Sequence, residues 1–189
     1  MQAKLLLMKK FFLFALIAIS AQGFSQTYFK FNAPSTLLGI PQIGVETSLG
    51  KKTTFQADVL GSYWQSINGV PFKTLSVFTE VRYHFDENYK GIYVGGHIGG
   101  STFELQKWNY INTGKYQKGF AMFFGVTVGY QIKINEKWMV DMFIGGGNQQ
   151  AAYKGYYIGT NTRYEHVKGY NKSGEWLPYR GGIMFSYKL

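Results

Sequence analysis

The chain has no cysteine among its 189 residues. That excludes disulfide scaffolds, zinc knuckles, iron–sulfur clusters, thiol catalysis and lipid attachment through an N-terminal cysteine. Proline occurs only 4 times, and charged residues make up 16%, against about 25% in an ordinary soluble domain. Past the first two dozen positions no apolar run approaches the ~18 residues that mark a transmembrane helix. Helical spacing is scarce throughout. What the chain has in quantity is rings and glycine: 15 Tyr, 16 Phe and 24 Gly. This composition argues against disorder and against a coiled coil, and the length suits one domain.

The first 23 residues read as a secretory signal peptide. Lys4, Lys9 and Lys10 form a positive n-region, Phe11 to Ile19 an apolar h-region, and Ser20 to Gln26 a small, polar tail. Cleavage after Ala21, Gly23 or Ser25 fits equally. The alternative is an uncleaved anchor, but the apolar run is about half the ~20 residues a spanning helix needs. The segment carries three of the ten excess positive charges, so residues 24–189 are expected as an exported domain with a net charge of +7.

That domain alternates with a period of two, which predicts strands. In Ala121–Ile134, Met122, Phe124, Val126, Val128, Tyr130, Ile132 and Ile134 oppose Ala121, Phe123, Gly125, Thr127, Gly129, Gln131 and Lys133. The same split recurs around Phe29, Val45, Ala57, Val77, Val94, Met142 and Phe185, giving eight candidate strands. In the last of them Tyr179 falls on the apolar face with Ile183, Phe185, Tyr187 and Leu189. Several strands run longer than the ~5–6 residues of globular sheets. Their polar faces carry Gly, Ser and isolated charges, where a solvated face would be dense in Lys, Glu and Thr. Both details favour an inverted arrangement, apolar outside and polar within.

The connections alternate as well. GKKT, DENYKG and NEK follow strands 2, 4 and 6 and are short turns. Gln65–Lys73, Gln106–Lys118 and about Gln150–Leu177 follow strands 3, 5 and 7 and are long; the link after strand 1, near Leu38–Pro41, breaks the trend by being short. Aromatic residues fall near strand ends as interface girdles would: Tyr83, Phe85, Tyr130, Trp138 and Tyr187 toward the turns, and Tyr63, Trp64, Phe72, Trp108 and Phe120 toward the loops.

Together, PQIGVETSLGKK, FTEVRYHF, GVTVGYQIKINEKWMVD and the final GIMFSYKL resemble the small OmpA-type outer-membrane β-barrels of Gram-negative bacteria. Glu-x-Arg-Tyr before one turn and Gly-Tyr-Gln before another resemble a barrel family catalogued as being of unknown function. The resemblance implies an all-β, eight-stranded antiparallel up-and-down transmembrane β-barrel in the cell outer membrane. It also implies that Phe185 and Tyr187, in the C-terminal strand, are read by the barrel-assembly machinery, although Leu189 stands where a terminal aromatic is common. The chain stops at the last strand, so no peptidoglycan-binding domain is expected after it.

If the apolar faces meet lipid, the lumen receives Lys30, Glu46, Asp58, Glu80, Arg82, His84, Asp141 and Arg180. Four acids, three bases and a histidine in so narrow a space should pair and block passage, because an unpaired buried charge costs several kcal/mol. The plainer reading is a solvated face of a soluble, lipocalin-like barrel; a narrow small-solute pore lined by the same residues is a further alternative. His97, Ser101 and Glu104 are the nearest thing to a catalytic set, as a lipid A-modifying enzyme would need. Their parity places Glu104 on the opposite face, and no enzyme is expected. No spacing suggests a metal or cofactor. Lys107, Lys115, Lys118, Lys154, Arg163, Lys168 and Lys172, interleaved with Tyr and Asn, fall in the long loops. An exported chain does not meet nucleic acid, so the expected partners are outer-membrane lipid and lipopolysaccharide, with a surface polymer or protein through the loops.

Overall fold

A computed structural model describes residues 26–62, 64–160, 162–164 and 169–189. The signal-peptide reading of residues 1–23, Tyr63, and the loop residues His166 and Lys168 lie outside that description.

The described chain is all-β. Eight antiparallel strands run β1 Thr27–Asn32, β2 Gln42–Ser48, β3 Thr53–Gly61, β4 Phe72–His84, β5 Gly91–Leu105, β6 Lys115–Lys133, β7 Trp138–Tyr157 and β8 Asn171–Lys188. Each pairs with its neighbours in sequence, and β1 also pairs with β8 (Tyr28 opposite Lys188, Asn32 opposite Met184), so the sheet closes on itself. Each strand is paired on both sides over the length that its shorter neighbour reaches. All eight candidate strands are present, and the three short turns join β2–β3, β4–β5 and β6–β7 at the end that carries Thr27 and Leu189.

The link after β1 is not short. It spans 33–41 and contains a helical turn, α1 (Ala33–Leu37), with Pro34 in its first turn and anchored by hydrogen bonds from Thr36 Oγ1 (2.6 Å) and Ser35 Oγ (3.2 Å) to the Asn32 carbonyl. Two of the long loops are shorter than their sequence suggests. β6 begins at Lys115, β7 continues to Tyr157 and β8 begins at Asn171, so most of the expected basic loop is strand. Polar, aromatic and small residues mix on both faces of these extensions, so the ladder continues where the apolar alternation that betrays a strand has stopped. The result is a lopsided wall, 6 to 9 residues high over β1–β3 and 15 to 20 over β5–β8.

Burial is inverted relative to a water-soluble barrel. Outward positions are exposed and apolar: Val126 is 68% exposed, Ile144 65%, Ile98 58% and Val128 50%. Lys30, Glu46, Asp58, Glu80, Arg82, His84, Asp141 and Arg180 face inward, while the charged residues near the loop-side strand ends, such as Lys73 and Lys118, stay outside. At the turn end, Tyr89 folds under the interior from the β4–β5 turn, packs on Tyr28 (centroids 4.7 Å apart) and donates a 2.6 Å hydrogen bond to the Gln26 carbonyl. Burial pushes its phenol well above the ordinary range, so it remains a neutral donor.

Glycines on the inward face leave room for large neighbours. A Cβ on Gly129 would collide with the Tyr93 ring, and one on Gly95 with the Glu80 carboxylate. The Gly129→Val variant is therefore expected to lose about 1–3 kcal/mol through overpacking. A denaturant titration followed by circular dichroism measures it, against an outward Gly96→Val control, for which nothing stands in the way.

Candidate functional site: a buried charge network across the lumen

Every strand contributes to one network of inward side chains in the turn-side part of the lumen. Lys30 of β1 donates to Asp141 Oδ2 (2.5 Å), Glu46 Oε2 (2.6 Å) and Gln56 Oε1 (2.8 Å), which uses all three ammonium protons. Arg82 of β4 reaches the same two carboxylates through NH1, Asp141 at 2.8 Å and Glu46 at 3.0 Å, so the four charges form an alternating square. Its NH2 lies 3.2 Å from Glu80, which also pairs with Arg180 NH1 at 3.2 Å. Arg180 NH2 continues the chain to Asp58 (2.8 Å), whose other donors are Gln42 (2.6 Å) and Gln56 (2.9 Å). Thr54 bridges Glu46 Oε1 (2.6 Å) and His84 Nε2 (3.1 Å), and Gln131 donates to Glu46 (2.9 Å). The eight residues named from the sequence thus lie together, all between 0% and 8% exposed.

Rings set the network's upper and lower surfaces. Arg82 lies 4.5 Å over Tyr93, whose hydroxyl donates to Asp141 (2.9 Å), and Arg180 lies 4.8 Å over Phe78. Sequence reasoning missed Gln42, Gln56, Gln131, Thr54 and Tyr93. Gln42, Gln56 and Thr54 share strand parity with a named charge, and Tyr93 and Gln131 lie on the polar faces of β5 and β6, which was the available signal; formal charge alone does not pick out the neutral donors.

One side chain is on the opposite face from the one expected. Opposite Gly145 and Gly146 the β8 register skips a residue, pairing Gly145 with Arg180 and Gly146 with Pro178. The extra residue of this bulge is Tyr179, which turns inward beside Arg180, hydrogen-bonds His97 Nε2 (2.8 Å) and packs on Phe123 (centroids 4.8 Å apart). His97 Nδ1 is 2.9 Å from Thr127 Oγ1. Ser101 bonds Ser76 (3.0 Å) and Thr74 (3.1 Å) instead, while Glu104 faces outward to Lys118 (3.4 Å) and Lys73 (3.8 Å). His97, Ser101 and Glu104 are not brought together. Among the described residues no group of three or more His, Asp and Glu side chains is placed to hold a metal ion.

These features sit on a known family background. A family model described as a protein of unknown function, DUF3575, matches residues 9–189. The chain belongs to the DUF3575 family. No curated protein and no solved structure matches it.

On its outer surface this DUF3575 member carries two further patterns. Tyr83, Phe85, Tyr130, Trp138 and Tyr187 are 37–53% exposed toward the turn end, and Trp64 (45%) and Phe120 (49%) toward the loop end. Just loopward of Leu75 and Phe120, Lys73, Glu104, Lys118 and Lys154 stand in cross-strand register over β4 to β7, with Lys154 over the Tyr170 ring at 4.7 Å.

Removing one partner from a buried pair strands the other. Lys30→Met is expected to cost about 3–5 kcal/mol, as Glu46 and Asp141 lose one of their two shared cations. In a double-mutant cycle with Asp141→Asn, the two losses should sum to clearly more than the double variant's loss, read from denaturant midpoints.

Proposed function

We propose that the protein is an outer-membrane β-barrel of the OmpA type, with a sealed, ion-paired lumen and a structural or surface-contact role such as membrane integrity, adhesion or anchoring of surface polymers. The observation that carries this reading is the reversal of burial. Water would be a poor solvent for a continuous sleeve of exposed Val, Ile, Phe and Met, and hydrocarbon is a good one. On β6 the sleeve runs from Phe120 to Ile132. At ~3.3 Å per residue and a tilt near 40°, that is about 30 Å of height, comparable with a bilayer's apolar thickness. No described helix is long and apolar enough to cross a membrane, which says nothing of strands.

The low side of the wall fits the same reading. There α1 and the residue after it present Leu37 (87% exposed) and Leu38 (71%), which extend the apolar surface beyond the short strands β1–β3. The exposed aromatics suit headgroup level at both ends. The lysine row at the loop edge suits the phosphates of lipopolysaccharide, and the apolar N-terminal segment supplies a route of export. Phe185 and Tyr187 in β8 would serve recognition by the assembly machinery. The interlocked charges argue for a closed lumen and against the pore alternative: Lys30, Arg82, Glu46 and Asp141 have no exposed surface.

Three outcomes follow from this reading. The protein should partition with outer membranes, need detergent for extraction, and migrate faster unheated than boiled on a gel. Planar bilayers containing it should show no single-channel conductance. Val126→Arg, at the most exposed point of the β6 sleeve, should cost about 2–4 kcal/mol in bilayers. A change within about 0.5 kcal/mol, as on a water-facing surface, would contradict the proposal.

A further inference from the structure

Above the charge network the interior does not fill. A cavity of about 800 Å³ occupies the loop-side half of the lumen, within the ~300–1,000 Å³ range of small-molecule sites. Its base is a triangle of rings: Phe78 and Phe123 are 5.3 Å apart, Phe123 and Tyr179 4.8 Å, and Phe78 lies nearly parallel to Tyr179 at 6.1 Å. On the walls, Ser76 and Ser101 present hydroxyls joined at 3.0 Å. Gln117 is 1% exposed, lines the cavity, and its Oε1 has no hydrogen-bond partner. The lining charges have ion-pair partners. Arg180 is held by Asp58 and Glu80, and Lys107 by Glu175 at 3.2 Å.

We propose that this cup is a binding site for a neutral saccharide. Gln117 Oε1 is buried behind the wall without a partner, so the amide gains by turning toward the cavity to meet a donor, and a hydroxyl-bearing ligand supplies one. The absence of an unpaired charge disfavours an ionic ligand, whose burial would cost too much. A wholly apolar ligand would leave Gln117 Oε1 without a donor. A pyranose offers an apolar C–H face to a ring platform and hydroxyls at its edge, which matches rings below and amide and hydroxyl groups at the sides. The proposal stands on the cavity alone and does not depend on whether the outer wall meets lipid.

The test is isothermal titration calorimetry on the whole protein in dimethyldodecylamine oxide, a detergent without a sugar headgroup. The probes are maltose, cellobiose and lactose, a uronic-acid disaccharide, and 1-naphthol. The cup predicts saturable binding of at least one neutral disaccharide, weakened roughly tenfold or more in both Gln117→Leu and Phe123→Leu, with circular dichroism reporting that each variant is folded. Three results would overturn it: no heat from any neutral disaccharide, preference for the uronic acid or for naphthol, or disaccharide binding undiminished in both folded variants. If one variant fails to fold, the other and the probe ranking still decide.

Discussion

A carboxylate shut away from water must find its counter-charge within the protein, and Glu46 finds two, Lys30 and Arg82, which it shares with Asp141. Those four side chains come from β1, β2, β4 and β7, on different sides of the ring. Shifting any of these strands by one residue would turn its charge outward and leave its partners unpaired. The square therefore acts as a register lock for the closed sheet, and Glu80 carries it on to Arg180 and Asp58. Strand register and lumen closure are thus one physical requirement. A narrow interior that holds charge holds it only when the strands are in step.

Room for that network comes from its neighbours. Gly95 and Gly129 give up side chains so that Glu80 and Tyr93 can cross the lumen, and Tyr89 covers the turn end where no loop is long enough to do so. At the other end the wall rises on β5–β8 and the bulge at Tyr179 changes which face the chain presents. The two ends consequently differ in kind: one is packed with tyrosine and methionine, the other is a cup floored with rings.

Much of this was legible in the chain. The eight strands were visible because each alternates apolar and polar residues over its middle, and the inward charges followed from parity alone. Three things were not. The extensions of β6–β8 lack the alternation, since polar, aromatic and small residues mix on both faces there. Tyr179 is displaced by a one-residue bulge that strict parity cannot register, although Pro178 and the glycines around it are residues that bulges favour. The helical turn α1 is five residues long, too short for any periodic signal. As for the site, formal charges could be placed from sequence, but the amides, hydroxyls and rings that complete their shells could not, because pairing across a closed sheet depends on distances between strands far apart in the chain.

The central claim is that the apolar faces of the strands meet hydrocarbon while the charges are enclosed. The natural lack of cysteine makes it directly measurable, since a single spin label can be introduced at each position from Phe120 to Ile132 without background. In reconstituted bilayers, relaxation by molecular oxygen should peak at the even-numbered positions, and a water-soluble nickel complex should reach none of them near Val126. A nickel complex that relaxes labels at Met122, Phe124, Val126 and Val128 as freely as labels on the exposed turn at Asn135–Lys137 would contradict the account.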